Sequence, residues 1–296
     1  MTLLLATISS PHSGVFHIFG RPIHLYGLML LLAIVACIWL TWVRWKRMGG
    51  DPDLVLRVAV WGVAAGIIGA RAYHDITSWD QVPNEWWGPF AVGRGGLGVW
   101  GGILFGCLVG AWVVHRSGAS VRLFADAVAP GLLLAQGIGR WGNYFNQELY
   151  GKPTSLPWGL KIDITHQGDI PLKYQGATAY HPTFLYEFIY DSIGAGLLIF
   201  IGWRFRIRPP GLFALYVAYY CFGRFFEELL RIDPSHHFLG LRVNAWVSIV
   251  LFVLSTCFFI YWQFIRDEPA EGDVGRRPRQ VEPTGPAMAV PKGRVR

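Results

Sequence analysis

Seven mostly apolar stretches run through this chain, each roughly the 20 residues that a helix needs to cross a bilayer. They lie at residues 23–43, 54–73, 96–115, 121–139, 183–203, 211–230 and 243–264. The chain is 53% hydrophobic and 15% charged, which is typical of a polytopic membrane protein and not of a soluble one. We therefore predict an all-α membrane protein, built as a bundle of seven transmembrane helices.

The basic residues of the loops predict the orientation of this bundle. Lysine and arginine are enriched in the loops after the first, third and fifth runs and in the segment 266–296. Such loops face the cytoplasm, so we expect an extracytoplasmic N-terminus and a cytoplasmic C-terminus. The net charge of +7 is then explained by topology and by attraction to anionic membrane lipids, and no nucleic-acid partner is expected.

One long connection separates the fourth and fifth runs. Residues 140–182 are rich in proline and glycine, and 160–164 alternate in polarity like a short strand. We predict a small, partly β extracytoplasmic cap at this position. Residues 1–265 are expected to form one seven-helix transmembrane domain. Residues 266–296 are expected to form a disordered tail, because that segment is rich in Pro, Gly, Arg and Glu.

The four cysteines all lie inside apolar runs. They are Cys37, Cys107, Cys221 and Cys257, and no pair has the CxxC spacing of a metal or redox site. We interpret them as buried packing residues, and we predict neither a disulfide nor a bound metal.

A first polar cluster ends the fourth run. Arg140 and Asn143 are three residues apart, and Gly139 and Gly142 remove side chains beside them. A charged side chain at membrane depth costs about 2.5–3.5 kcal/mol and therefore indicates a functional site. The guanidinium fork and the amide suit a phosphate. The alternative is a structural Arg140–Glu148 ion pair at a helix end.

A second polar cluster lies in the outer half of the sixth run. Arg224 and Glu228 are four residues apart, on one face of a helix. The predicted topology places Arg224 at the same depth as Arg140, so the two arginines can act on one anion. The alternative is an ion pair confined to this helix.

Three further residues lie near the same side of the membrane. His181 precedes the fifth run and is either a proton acceptor or structural. Tyr26 is either an interface anchor or part of the site. Arg71, at the end of the second run, is expected to extend to the interface along its aliphatic stem.

The residues from Gly139 to Gly151 read GRWGNYFNQELYG. This segment resembles the signature G-R-x-G-N-x-x-N-x-E-x-x-G of the prolipoprotein diacylglyceryl transferases, with every fixed position kept. The resemblance extends to Tyr26-Gly27, Gly69-Ala70-Arg71, the HPTFLYE segment at 181–187 and Gly223-Arg224-Phe225. It covers about residues 20–265.

The resemblance implies a bacterial plasma-membrane enzyme. It would move the diacylglyceryl group of phosphatidylglycerol to the lipobox cysteine thiol of a prolipoprotein, releasing glycerol 1-phosphate. Its partners are then phosphatidylglycerol, prolipoprotein signal peptides and membrane lipids, and no cofactor is expected.

The resemblance also implies roles for individual residues. Arg140 binds the phospholipid, and Asn143, Gly151, Arg224 and Glu228 fall on further functional positions of the family. Together with the residues considered above, we predict a lipid-binding set and a catalytic set. The lipid-binding set is Arg140, Asn146, Gly151, Tyr26 and Glu228, and the catalytic set is Arg140, Arg224, Asn143, Glu148 and His181. This chain has Trp100 where many members carry a histidine proposed as a base. Because tryptophan cannot take a proton from a thiol, His181 or a carboxylate must do so, or the proposal of a base does not apply here.

The same arginines allow another class of function. A seven-helix transporter or channel for an anionic solute would also need cations at membrane depth. A lipid enzyme needs a gap between helices that opens to the bilayer, whereas a transporter needs water access from each face in turn. A heptahelical receptor lacks support from the sequence.

Overall fold

The computed structural model describes residues 7–90 and 96–267. Most of this part of the chain is helical. The long helices are α1 (Leu25–Arg47), α2 (Pro52–Thr77), α3 (Val99–Arg116), α4 (Val121–Asn146), α5 (Thr183–Arg204), α6 (Gly211–Leu230) and α7 (Val243–Ile260), and α7 continues as a π-helical turn over Tyr261–Ile265. The predicted disordered tail lies, from residue 268 onward, outside the described residues.

Six of these helices are long and apolar enough to cross a membrane. The six are α1 to α5 and α7 with its terminal turn, so the chain is a multi-pass membrane protein. Helix α6 is 20 residues long but carries Arg224, Glu227 and Glu228 in its last two turns, which lower its hydropathy. A membrane crossing by α6 therefore stays a prediction.

Helix α4 continues past the apolar run that predicted it. It ends at Asn146, and Gln147 adopts a left-handed conformation with φ of 53°. The expectation that the loop begins near residue 140 is therefore wrong, because Arg140 and Asn143 stand on the last two turns of a helix. A helix fixes these side chains more firmly than a loop would.

A proline inside α4 explains how this helix is joined to α1. Pro130 has no N–H and cannot donate to the carbonyl of Asp126 four residues earlier. That carbonyl instead accepts a hydrogen bond from Arg44 Nη2 at 3.1 Å, and Arg44 Nε donates to the carbonyl of Ala127 at 3.0 Å. The arginine at the end of α1 thus satisfies backbone acceptors of α4.

Helices α2 and α3 pack through glycines. A Cβ on Gly69 would lie 2.6 Å from the carbonyl oxygen of Gly101, and a Cβ on Gly101 would lie 2.1 Å from the carbonyl oxygen of Gly69. The two backbones are therefore in direct contact at this level. Small residues allow this close approach between membrane helices.

Short strands lie outside the long helices. Strand β1 (Ile8–Ser9) pairs in parallel with β4 (Leu160–Lys161), and β2 (Val15–Ile18) pairs antiparallel with β3 (Arg21–His24). A third pair joins β5 (His237–Phe238) to β6 (Leu241–Arg242). The segment between α4 and α5 thus contains one two-residue strand and otherwise 3-10 helices and turns over a small apolar cluster. Its position outside the cytoplasm stays a prediction.

The cysteines are only partly where the sequence predicted them. All four are free thiols, and Cys221 is buried while Cys37 is half-buried. Cys107 and Cys257 lie on the outer surface of the bundle, so the expectation that all four are buried is wrong for these two. An apolar run does not distinguish a lipid-facing position from one that faces another helix.

Candidate active site

Two arginines from different helices converge on one carboxylate. Arg140 Nη2, on α4, lies 2.7 Å from Glu187 Oε1, and Arg224 Nη1, on α6, lies 3.5 Å from Glu187 Oε2. Glu187 stands in the second turn of α5 and is buried. The arrangement therefore brings together the two arginines that the sequence predicted to act together.

The central role of Glu187 was not predicted. Glu187 ends the HPTFLYE segment at 181–187, in which only His181 was predicted to be a site residue. A carboxylate in the first turns of an apolar helix was the available signal, because ionisable groups at membrane depth need a partner.

Arg140 begins a chain of hydrogen bonds that leads away from Glu187. Its Nη1 donates to Asn143 Oδ1 at 3.3 Å, and Asn143 Nδ2 donates to Glu148 Oε1 at 2.8 Å. Asn146 Nδ2 approaches the same Glu148 oxygen at 3.5 Å. The alternative of a direct Arg140–Glu148 ion pair is therefore wrong, because Asn143 lies between them and the carboxylate paired with Arg140 is Glu187.

Arg224 belongs to a larger network of charges. It lies 2.6 Å from Glu227 and 2.5 Å from Glu228, so the pair predicted within α6 is present. Glu228 also lies 2.6 Å from Arg242 and 3.4 Å from Arg231. Glu228 thus forms ion pairs with three arginines and not with Arg224 alone.

Asp233 closes this network beyond the end of α6. It lies 2.7 Å from Arg231 and 2.7 Å from Arg242. Burial raises the pKa of Asp233, but the hydrogen bonds and charges of these two arginines outweigh burial and lower it. Arg231 and Arg242 are therefore already occupied by Glu228 and Asp233.

Tyr26 lies against the signature segment. A Cβ on Gly142 would come within 2.7 Å of the Tyr26 ring, so the ring of α1 rests directly on the glycine of α4. Gly142 stands one helical position before Asn143, which places Tyr26 beside the arginine–amide chain. Of the two alternatives for Tyr26, the one that places it at the site agrees with this contact.

Gly151 and His181 lie together at the start of α5. The N–H of Gly151 donates to the carbonyl of His181 at 2.9 Å, and a Cβ on Gly151 would lie 2.8 Å from the His181 Cβ. The ring Nδ1 of His181 lies 3.1 Å from the hydroxyl of Tyr186. Burial and then the charge of Lys152 lower the pKa of His181. None of the contacts among the described residues links this histidine to either arginine.

A cavity of about 500 Å³ adjoins the end of α4. Its lining includes Asn146, Glu148, His166 and Asp169, and neither Arg140 nor Arg224 is part of it. Glu148 is therefore the residue that joins the arginine–amide chain to open space. The predicted opening of the arginine pair toward lipid stays a prediction.

Arg71 has a structural role that the sequence did not predict. Its guanidinium is buried, donates to the carbonyls of Gly88 and Pro89 at 2.8 and 2.9 Å, and pairs with Asp75 at 3.0 Å. The expectation that it extends to the interface is therefore wrong. Arg71 instead holds the connection between α2 and α3.

Comparison with known sequences places the chain in a family. A model of the prolipoprotein diacylglyceryl transferases matches residues 13–261. The chain belongs to the prolipoprotein diacylglyceryl transferase family. The matched range includes all seven long helices and every residue of the arginine site, so the family assignment covers the site as well as the scaffold.

Three relatives illustrate the degree of similarity, and each is named as a phosphatidylglycerol–prolipoprotein diacylglyceryl transferase. The one from Bifidobacterium adolescentis is 46% identical over 278 residues, covering 88% of this chain and 81% of the relative. The first enzyme of that name from Streptomyces coelicolor is 46% identical over 260 residues, covering 86% and 74%. The one from Streptomyces griseus is 42% identical over 288 residues, covering 95% and 86%.

Proposed function

We propose that this protein transfers the diacylglyceryl group of phosphatidylglycerol to the lipobox cysteine thiol of prolipoproteins and releases glycerol 1-phosphate. The observation that carries the proposal is the convergence of Arg140 and Arg224 on the carboxylate of Glu187. An anion held between two guanidinium groups from separate helices indicates where a phosphate can bind. The family and its relatives favour this reaction over transport of an anionic solute.

The guanidinium groups of Arg140 and Arg224 support the proposed phosphate site. Arginine forms bidentate, charge-assisted hydrogen bonds with phosphate as it does with carboxylate. The headgroup phosphate would take the place that Glu187 now occupies beside Arg140 and Arg224. Tyr26, Asn146, Gly151 and Glu228 complete the proposed lipid-binding set. Of these, Tyr26 lies against Gly142, and Glu228 holds Arg224 in position.

The reaction itself needs one bond to form and one to break. The substrate thiol loses its proton, and its sulfur attacks the carbon of the diacylglyceryl group that bears the phosphate oxygen. The bond between that carbon and that oxygen breaks. The electron pair goes to the leaving phosphate, which the two arginines stabilise as its charge develops. The thiol comes from the prolipoprotein, so the enzyme needs no nucleophile of its own. We keep the expectation that no cofactor takes part.

We propose Glu148, and not His181, as the acceptor of the thiol proton. Glu148 lies at the end of the chain that begins at Arg140 and lines the cavity of about 500 Å³. His181 contacts Tyr186 through its ring nitrogen Nδ1 and has no described contact with the arginines. Trp100, at the start of α3, has no group that can act as a base.

Exchange of Glu148 for glutamine should separate these candidates. Glu148→Gln keeps an oxygen to accept from Asn143 but removes the base, so we expect the transfer rate to fall by about 10²-fold. The matched variant His181→Gln should lose much less. The measurement is lipidation of a lipobox peptide by purified protein across a range of pH. Normal turnover in Glu148→Gln would contradict its role.

The four cysteines should be dispensable. A variant with Cys37, Cys107, Cys221 and Cys257 all changed to alanine should transfer lipid at close to the wild-type rate, because the described contacts of Arg140, Arg224 and Glu187 include no cysteine. Mass spectrometry of the wild-type protein after incubation with phosphatidylglycerol provides the complementary measurement. A glyceryl adduct on any enzyme cysteine would overturn direct attack by the substrate thiol.

The function is tested most directly by the reaction. Purified protein is incubated with radiolabelled phosphatidylglycerol and a lipobox peptide, and a peptide with serine in place of the lipobox cysteine is the control. We expect label and mass gain on the cysteine of the first peptide alone. Uptake of a phosphorylated solute into proteoliposomes, without peptide lipidation, would favour the transporter instead.

We also propose a bacterial plasma-membrane location, with an extracytoplasmic N-terminus, a cytoplasmic C-terminus and α6 as a seventh span. The loop charges support this orientation. The test labels intact cells with a membrane-impermeant thiol reagent, after one cysteine is introduced at Ser13 or at Gly118 in the variant that lacks all four native cysteines. Ser13 should be labelled and Gly118 should not, and the reverse pattern would reject the orientation.

A further inference from the structure

A second cavity lies at the opposite end of the bundle from the arginine site. It has a volume of about 530 Å³ and is lined by the ends of four helices and by the connection between α5 and α6. Each of the four helices α1, α4, α5 and α6 contributes to the proposed active site at one end and to this cavity at the other. The two places are therefore separated by the length of the bundle.

Three arginines and one carboxylate line this cavity. The arginines are Arg44 at the end of α1, Arg204 in the last turn of α5 and Arg206 in the following connection. The carboxylate of Asp126 is already engaged, because its Oδ1 accepts from the N–H of Phe213 at the start of α6 at 2.9 Å. The cavity thus presents a net positive charge.

Hydrogen bonds hold the Arg44 side chain and the backbone of Arg206 in place. Arg44 uses Nε and Nη2 to bind α4 carbonyls, so its Nη1 has no hydrogen-bond partner among the described residues. Gly202 faces this guanidinium, since a Cβ there would be in ordinary van der Waals contact with Arg44 Nη2 at 3.6 Å. Gln263, beyond α7, donates to the carbonyl of Arg206 at 3.1 Å and fixes the connection.

Arg204 and Arg206 differ from the arginines of the active site. Both are exposed, and neither forms an ion pair with a described carboxylate. Their apolar neighbours Trp203 and Phe205 are also exposed, and aromatic residues at the end of a membrane helix lie at the level of the lipid headgroups. A volume of a few hundred Å³ is that of an ordinary small-ligand pocket.

We propose that this cavity is a second binding site, which takes a phosphate-bearing anion. Three arginines line this one space, and arginine is the side chain best suited to bind the several oxygens of a phosphate. The phosphate can come from the headgroup of an anionic phospholipid, with its acyl chains beside Trp203, or from a soluble phosphate. The proposal of this second binding site does not depend on whether the protein catalyses the proposed transfer reaction.

Counting bound lipids provides the test. The purified full-length protein in detergent is titrated with dioctanoyl phosphatidic acid, and native mass spectrometry counts the lipids on each molecule. The variant is Arg204→Gln with Arg206→Gln. The matched control is Arg47→Gln with Arg116→Gln, which removes the same charge at the same end of the bundle but outside the cavity lining.

At low lipid concentration, we expect the wild type and the control to bind one more lipid than the cavity variant. The affinity of the cavity variant for this additional lipid should be about tenfold weaker. Dioctanoyl phosphatidylcholine should bind there more weakly, because its headgroup is neutral overall. Displacement of the extra lipid by inorganic phosphate would identify a soluble phosphate as the ligand, and resistance would identify the headgroup.

The same number of lipids, bound with equal affinity by all three proteins, would overturn the proposal. A global loss of folding is excluded by comparing thermal unfolding of the two double variants without lipid. If the double cavity variant is unstable, Arg206→Gln alone gives the same comparison against Arg116→Gln alone. Because Arg140 and Arg224 are unchanged in every variant, binding at the proposed active site stays the same throughout.

Discussion

Replacement of Arg140 by lysine should lower the rate of diacylglyceryl transfer by about 10²–10³-fold, although the positive charge is kept. Arg140 holds Glu187 with one nitrogen and Asn143 with another, and an ammonium group cannot reproduce this planar fork. The measurement is initial-rate lipidation of a lipobox peptide by purified protein. Arg140→Ala should be at least as impaired as Arg140→Lys.

A matched control exists on the same helix. Arg122 stands in the first turn of α4, is exposed and lies over the ring of Trp262 at 5.2 Å. Arg122→Lys should therefore keep nearly full activity. Near-normal activity in Arg140→Ala, with the amount of folded protein confirmed, would remove Arg140 from the phosphate site.

Removal of Arg224 should also abolish most of the transfer, and removal of its partner should not restore it. We expect Arg224→Ala to lose about 10²-fold or more, because a donor to the developing charge is lost. The structure sharpens the comparison with Glu228, which keeps Arg231 and Arg242 as partners when Arg224 is gone. Loss of Arg224 therefore leaves Glu228 paired, and the carboxylate that loses its described ion pair is Glu227, 2.6 Å from Arg224.

A double-mutant cycle distinguishes the two roles of Arg224. If it only neutralised Glu227, the variant Arg224→Ala with Glu227→Ala would be much milder than Arg224→Ala, since an unpaired buried charge is the costly state. If it binds the substrate phosphate, the double variant should be at least as impaired. Recovery of activity in the double variant would reject the shared phosphate site.

The helices could be predicted from the sequence because apolar length is a local property. The run 54–73 became helix Pro52–Thr77, and the run 243–264 became a helix with a final turn ending at Ile265. The extension of α4 to Asn146 could not be predicted in this way, since its last turns are polar. A span predicted from hydropathy ends at the first charged residues, whereas the helix continues because its backbone hydrogen bonds continue.

The candidate site was predicted in part for a similar reason. The pair Arg224–Glu228 follows from spacing along one helix and is present. The pairing of Arg140 with Glu187 joins α4 to α5, and no local spacing carries that information. The signature segment placed Arg140, Asn143 and Glu148 near one another, but the order of their hydrogen bonds required the three-dimensional structure.

The glycine contact between α2 and α3 has a consequence for how the protein assembles. Backbones that touch at Gly69 and Gly101 need no side chain from the rest of the bundle to fit together, and Arg71 closes the connection between these helices from within. We expect this hairpin to form in the bilayer as an independent folding unit and to dock afterwards. Bulky residues at Gly69 or Gly101 would then impair insertion and maturation of the newly made chain, although these positions lie away from the proposed active site.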